Sequence, residues 1–179
     1  MANLEIIWAE LGISADYAVL RGLPLQPEAV ELISIGADNQ NRDCQLEPEA
    51  AQAWRALQDA AKTEGITLEP VSGFRSVERQ AQLIRGKLAR GQRLDDILRS
   101  NAAPGYSEHH TGRALDITDG ASPPLNESFE QTVAFAWLSR RAKRFGFHLS
   151  YSRNNPHGFV YEPWHWCWQE QAEVRRPLS

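Results

Sequence analysis

The sequence predicts an α+β fold, in which a small, mostly antiparallel sheet is flanked by helices. Apolar residues recur at helical spacing over residues 47–63 and 77–90, whereas short apolar or alternating runs at 113–118 and 147–151 are typical of strands. A strand-like segment at 159–168 follows them. Helices come first, then strands with helices between them, and strands close the chain. This order favours α+β over a regular βαβ repeat.

Length and composition favour one soluble domain. The chain has 179 residues, of which 42% are hydrophobic and 23% charged, and this length suits a single core. We therefore treat residues 1–179 as one domain. The net charge of -4 gives no reason to expect nucleic acid as a partner. Oligomeric state cannot be read from the sequence.

The N-terminal residues carry neither a basic region nor a long apolar stretch, so they do not read as a secretory signal. No apolar run approaches the roughly 20 residues of a membrane span. We therefore expect a cytoplasmic protein without a membrane span. In that compartment Cys44 and Cys167 are expected to be free thiols.

Local signals place the elements in chain order. Residues 3–11 have helical spacing, and 32–35 form a candidate edge strand within an otherwise unassigned stretch. Glu47-Pro48-Glu49 suits the first turn of a helix that ends before Gly65. The other predicted elements are a strand at 66–71, a helix at 77–90 capped by Ser76, a short helix at 94–98, a loop at 101–106, a strand at 113–118, the longest helix from Asn126 or Ser128 to Phe145, a strand at 147–151 and a strand-like segment at 159–168 broken by Pro163.

The stretch 107–116 contains two of the chain's five histidines and a carboxylate in an apolar run. Asp116 lies on a predicted strand, where a carboxylate is costly unless it is paired or bound to a metal. His109 lies on the preceding loop, and Gly112 lets that loop turn sharply. These residues indicate one half of a metal site.

His165 is the candidate for the other half. Zinc in hydrolases typically takes three protein ligands and keeps a position for water, and imidazole and carboxylate suit it. Glu162 precedes His165 by three residues, which favours a general base beside such a site. His110 competes with His109, and their chemistry separates them only modestly. Any one histidine is more often structural, but the set taken together favours a zinc site.

The neighbouring side chains have simpler interpretations. Trp164, Trp166 and Trp168 share one strand parity and should pack into the core. Cys167 shares the parity of His165, and we expect a buried thiol there.

Three motifs resemble those of the VanY-type D-alanyl-D-alanine carboxypeptidases. Residues 107–116 match Ser-x-His-x-x-Gly-x-Ala-x-Asp, and residues 162–165 match Glu-x-Trp-His. Residues 72–76, with Gln80, are similar to the family's Ser-Gly-aromatic-Arg-Ser segment. The first two motifs together are highly specific. The resemblance covers roughly residues 47–168 as a metallo-carboxypeptidase core, whereas 1–46 match no family that we recognise.

The resemblance implies a role for each motif residue and selects His109 over His110 on family grounds. An arginine fixed near a carbonyl can stabilise developing negative charge, which is a physical reason for Arg75. The implied roles are zinc ligands for His109, Asp116 and His165, catalytic base for Glu162, oxyanion stabilisation for Arg75, and substrate binding for Ser107 and Gln80.

The implied activity is removal of a terminal D-alanine from peptidoglycan stem peptides by a zinc metallopeptidase. A cytoplasmic D,D-carboxypeptidase would spoil pentapeptide precursors, whereas an L,D-carboxypeptidase would trim tetrapeptides during cell-wall recycling. We therefore expect L,D specificity. The alternatives are a D,D-carboxypeptidase or dipeptidase, a phage-type endolysin peptidase, and a non-catalytic zinc-containing binding module.

Overall fold

The computed structural model describes residues 4–170 and confirms the α+β class. Two separate antiparallel sheets are present within that range. A hairpin pairs β1 with β2, and a four-stranded sheet has the order β3-β4-β6-β5. The strands are β1 Ile33–Ala37, β2 Asp43–Leu46, β3 Glu69–Ser72, β4 Ala114–Thr118, β5 Phe147–Leu149 and β6 His165–Trp168.

Six α-helices and three short 3₁₀ helices surround the sheets in the described part of the chain. The predicted start of the first helix at residue 3 lies outside the described residues. The α-helices are α1 Leu4–Leu11, α2 Tyr17–Leu20, α3 Pro48–Thr63, α4 Val77–Ala89, α5 Leu94–Ser100 and α6 Val133–Arg141; the 3₁₀ helices are Glu108–Thr111, Glu127–Gln131 and Ala142–Phe145.

The two helices with the clearest sequence signals form as predicted. The Glu47 side chain caps α3 by accepting a hydrogen bond from the Ala50 N–H, and Pro48 occupies the first turn. Ser76 caps α4 by accepting from the Arg79 N–H. Helix α3 buries Trp54 and Leu57 fully against the four-stranded sheet's core. Local capping and an apolar stripe therefore suffice to predict these helices.

The predicted long helix from Asn126 or Ser128 to Phe145 is wrong. The chain is extended at Thr132, with φ -84° and ψ 155°, and the Thr132 side chain caps a new helix at Val133. Asn126 caps only the preceding 3₁₀ helix. Because threonine's hydroxyl can satisfy a free backbone N–H, it interrupts the helical run. The longest helix is α3 instead.

The predicted strands are present but shifted or shorter. The strand expected at 66–71 runs from Glu69 to Ser72, and the segment 159–168 is a strand only from His165 to Trp168. The backbone N–H of His165 bonds to the Glu162 carbonyl in a turn around Pro163. A turn therefore places Glu162 and His165 close together.

The register of the four-stranded sheet positions two charged residues. Asp116 on β4 lies directly opposite His165 on β6, and Ser72 on β3 lies opposite Asp116 on its other side. All five residues of β4 are buried. Directly opposite residues have Cβ atoms about 5 Å apart, so the sheet brings these side chains within reach of one another.

The N-terminal residues are part of the fold. Helices α1 and α2 pack with α4 and α5 in a second apolar cluster that includes Trp8, Tyr17 and Ile84. The Glu28 carboxylate accepts a hydrogen bond from the Val77 N–H, and Ala29 N–H bonds to the His110 carbonyl. This segment supports the start of α4 and the 3₁₀ helix Glu108–Thr111. None of the described helices is long and apolar enough to cross a membrane.

Candidate metal centre and active site

His109, Asp116 and His165 form a buried group whose ligand atoms all lie within 4.8 Å of one another. The Asp116 carboxylate is central. Its Oδ1 lies 3.0 Å from His165 Nδ1, and its Oδ2 lies 3.4 Å from His109 Nε2. Burial opposes ionisation of Asp116, but the two histidines outweigh it and hold its pKa well below the ordinary range. The carboxylate therefore stays charged.

A backbone contact fixes the His109 ring. Its Nδ1 lies 2.7 Å from the Gly73 carbonyl oxygen, so this nitrogen is the one that donates. That leaves Nε2, which lies toward Asp116, as the nitrogen available to a metal. Burial, and the nearby charge of Arg75, lower the pKa of His109, which favours the neutral ring that a metal needs.

Glu108 fixes the His165 ring, a role that sequence reasoning missed. Its Oε2 lies 2.8 Å from His165 Nε2, on the side of the ring opposite Asp116. Burial opposes a charged His165, but hydrogen bonds to Asp116 and Glu108 outweigh it and raise its pKa to about 10. A carboxylate bound to the outer nitrogen of a ligand histidine sets its tautomer and orientation. The acid directly preceding His109 was the available signal.

His110 has a structural role. Its Nδ1 lies 2.6 Å from the Arg75 carbonyl oxygen, and its Nε2 accepts a hydrogen bond from the Gly105 N–H at 3.1 Å. Burial lowers its pKa to about 4, so the ring is neutral near pH 7. Both nitrogens are occupied and the ring is outside the buried metal group. The structure thus separates His109 from His110 where their chemistry did not.

Gly112 turns the chain between the 3₁₀ helix and β4. Its φ is +66°, and a Cβ atom there would lie 2.8 Å from the Glu47 backbone nitrogen. That nitrogen donates to the Gly112 carbonyl. Only glycine combines this conformation with so close an approach. The turn delivers Asp116 to the sheet while His109 stays above it.

Arg75 is held facing the group. Its backbone N–H bonds to the His109 carbonyl, while Nη1 and Nη2 donate to Gln80 Oε1 at 2.9 Å and Ser72 Oγ at 3.0 Å. Gln80 is fully buried and also donates from Nε2 to the Ala102 carbonyl. The structure therefore places Gln80 as a support for Arg75, with both ends of its amide occupied.

Glu162 has the properties of a general base. It is buried, with 8% of its surface exposed. Burial raises its pKa to about 7; His165 and Arg75 lower the pKa, and Asp116 raises it. A carboxylate with a pKa near neutrality can both accept and return a proton at working pH.

These residues share one cavity of about 310 Å³. The cavity is lined by all seven residues to which the family resemblance assigns a role: Arg75, Gln80, Ser107, His109, Asp116, Glu162 and His165. Ser107 is buried, and its side chain does not cap the 3₁₀ helix. Trp166 and Trp168 are in the core as predicted, whereas Trp164 is only half-buried and also lines the cavity. The lining residues include Arg75, Gln80, Lys87, Asn101, Ser107, His109, Asp116, Tyr151, Phe159, Val160, Glu162, Trp164 and His165.

One wall of the cavity is a row of rings that ends on His165. The Tyr151 ring stacks on His165 with centroids 4.5 Å apart, and Phe159 lies 4.6 Å from Tyr151. The Arg21 guanidinium lies 4.2 Å from the Phe159 ring and donates to the His157 carbonyl. The wall is thus anchored by the N-terminal segment. Tyr151 is buried and lines the cavity.

Side-chain chemistry fits a zinc ion at this group. Two imidazole nitrogens and one carboxylate are a ligand set that zinc accepts, and three protein ligands leave a position open. The outer nitrogens of both histidines are satisfied by a carbonyl and a carboxylate, as is usual for metal ligands. Cys44 and Cys167 are buried free thiols, as expected, and neither joins the group.

Comparison with known proteins gives a family match over most of the chain. The model of the family described as VanY, D-alanyl-D-alanine carboxypeptidase, matches residues 43–171. The protein YodJ of Bacillus subtilis (strain 168) is 38% identical over 124 residues, which are 67% of this chain and 45% of YodJ. A D-alanyl-D-alanine carboxypeptidase of Enterococcus faecalis is 32% identical over 121 residues, 62% of this chain and 43% of that protein. The chain spans less than half the length of these two relatives.

Solved structures show the same fold. The LD-carboxypeptidase LdcB superposes with a TM-score of 0.71 at 32% identity, covering 81% of this chain and 71% of LdcB. The vancomycin-resistance D,D-pentapeptidase VanY, solved in complex with Zn(II), has a TM-score of 0.63 at 26% identity, covering 80% of this chain and 82% of VanY.

Proposed function

The chain belongs to the VanY family of D-alanyl-D-alanine carboxypeptidases, and on that premise we propose that it is a zinc-dependent carboxypeptidase acting on peptidoglycan stem peptides. The reaction would release a terminal D-alanine. One observation carries the proposal: a buried group of His109, Asp116 and His165 faces the same cavity as a buried carboxylate and a fixed guanidinium. Binding alone would not need the carboxylate, which argues against a non-catalytic module.

The chain's own residues can perform the proton transfers and hold the charge. When bound, zinc would polarise the substrate carbonyl and would lower the pKa of the attacking water. Glu162 accepts the proton of the attacking water and returns it to the leaving amine. Arg75, held by Gln80 and Ser72, faces the negative charge that develops on the carbonyl oxygen. The buried setting strengthens both interactions.

We propose L,D specificity, that is, cleavage of tetrapeptides. Its support is the likeness to the LD-carboxypeptidase LdcB, which has both a higher TM-score and a higher identity than the D,D-pentapeptidase VanY. The second candidate is D,D-carboxypeptidase activity on pentapeptides. It is favoured by the D-alanyl-D-alanine carboxypeptidase of Enterococcus faecalis, at 32% identity.

The test is incubation of the zinc-loaded protein with purified tetrapeptide and pentapeptide muropeptides, with products identified by mass. We expect D-alanine to be released from the tetrapeptide, and Glu162→Gln to abolish the release. Release from the pentapeptide only would replace L,D with D,D specificity. No release from either substrate, with Glu162→Gln indistinguishable from the wild type, would refute the enzyme.

A further inference from the structure

Lys87 is a second cation in the cavity, and nothing in the reaction described so far uses it. We propose that its ammonium binds the terminal carboxylate of the peptide and so restricts the enzyme to free C-termini. This inference rests on the proposed carboxypeptidase function. It concerns how the residue to be released is recognised.

The position of Lys87 on α4 directs it toward the reacting groups. It follows Gln80 by seven residues, so both lie on one face of the helix about 10 Å apart along its axis. Helical side chains lean toward the N-terminus of their helix. The lysine chain therefore extends back toward Arg75 and lines the same cavity as Glu162.

Lys87 has no partner of its own in the described part of the chain. Its side chain is half-buried, and it makes neither a hydrogen bond nor an ion pair with another described residue. Burial and the charges of Arg90 and Arg75 lower its pKa, and Glu162 raises it. An ammonium partly removed from water without a partner is costly, and a carboxylate arriving with the substrate would offset that cost.

Arg75 is less suited to this task. Two of its nitrogens are already bound to Gln80 and Ser72, and the proposed mechanism assigns the same guanidinium to the carbonyl that reacts. A terminal carboxylate needs a separate charge, placed one residue beyond that carbonyl. Apart from Arg75, Lys87 is the only lysine or arginine among the described residues that line the cavity. The two cations would thus have separate roles: Arg75 would stabilise the transition state, and Lys87 would bind the terminal carboxylate of the substrate.

The experiment compares a tetrapeptide that has a free terminal carboxylate with the same peptide ending in a carboxamide. We expect Lys87→Gln to lower kcat/KM for the free acid, mainly by raising KM. The expected loss is roughly 10- to 100-fold, which corresponds to the loss of one charged hydrogen bond. Lys87→Arg should retain most of the activity. The carboxamide should be affected little, so the preference for the free acid shrinks. Lys62→Gln, which removes an exposed lysine on α3, is the matched control.

Binding separates this inference from the proposed activity. N-acetyl-D-alanine and its carboxamide are titrated calorimetrically into the zinc-loaded wild type and the Lys87→Gln variant. Selective loss of acid binding in the variant supports the role of Lys87 even if no peptide is cleaved. The substitution would affect acid and carboxamide equally if Lys87 only shifted the pKa of Glu162, and that result would overturn the proposed role of Lys87. The role would also be overturned if the substitution changed neither the binding of these ligands nor the cleavage of the peptide.

Discussion

Asp116 Oδ1 lies 3.0 Å from His165 Nδ1, although 49 residues separate the two in sequence. They are directly opposite each other on β4 and β6, so sheet register creates the contact. His109 joins them from the 3₁₀ helix that precedes β4. The metal group therefore depends on both the strand pairing and the turn at Gly112.

Loss of His165 should abolish tight zinc binding. His165→Ala removes one of the three proposed ligands and leaves Asp116 without its closest partner. Zinc content after dialysis, with affinity from chelator competition, measures the effect. His110→Gln and His148→Ala should retain zinc, because neither ring belongs to the group. Near-normal zinc content in His165→Ala would refute its role as a ligand.

Glu108 should tune zinc affinity without supplying a ligand. Glu108→Gln weakens the hydrogen bond to His165 Nε2, and such outer partners typically contribute about 10- to 100-fold in affinity. We expect a loss in that range by chelator competition, and no change for the exposed control Glu31→Gln. Unchanged affinity in Glu108→Gln would show that Asp116 and the Tyr151 ring orient His165 without Glu108.

Gln80 should act through Arg75. Gln80→Ala removes the acceptor that holds Arg75 Nη1, so we expect at least a tenfold lower kcat with a smaller change in KM. In an Arg75→Ala background the same substitution should cost little more, because its effect is already lost. Gln82→Ala, on the exposed face of α4, is the control. Full additivity of the two substitutions would assign Gln80 an independent role.

Glu162 should make the metal-free protein less stable as pH rises. Its pKa is about 7 in the folded protein, against 4.5 as the ordinary value. Between these values the folded state binds more protons, so the free energy of unfolding falls with rising pH, by on the order of 3 kcal/mol in total. Glu162→Gln lacks this dependence. In urea unfolding, the free energy of unfolding of Glu162→Gln should rise relative to that of the wild type between pH 5 and pH 8. Equal changes in both proteins would contradict a raised pKa for Glu162.

Gly112 should tolerate alanine less well than Gly91 does. Both have a positive φ, +66° and +80°, but an added Cβ meets the Glu47 backbone nitrogen at 2.8 Å only at Gly112. We expect Gly112→Ala to cost about 1–2 kcal/mol more than Gly91→Ala in the free energy of unfolding. Equal costs would mean that the turn relaxes freely.

Sequence alone supplied the candidate site residues, because motif spacing and residue chemistry are local properties. His109, Asp116, His165 and Glu162 could be named together, and α3 and α4 could be predicted from their caps and apolar stripes. The choice of His109 over His110 needed the family resemblance. The cytoplasmic location and the L,D specificity stay predictions.

Tertiary structure decided what depends on contacts between distant segments. Strand register placed Asp116 opposite His165, and pairing between the loop at Gly73 and the 3₁₀ helix turned Arg75 toward them. The contacts of Glu108 with His165 and of Gln80 with Arg75 depend on which distant neighbours each side chain meets, and no local pattern encodes those neighbours. The break at Thr132 is a different case, because it comes from a local cap on the Phe135 N–H that competes with a continuous helix. Composition and spacing thus specify which groups are available, and packing specifies what each one does.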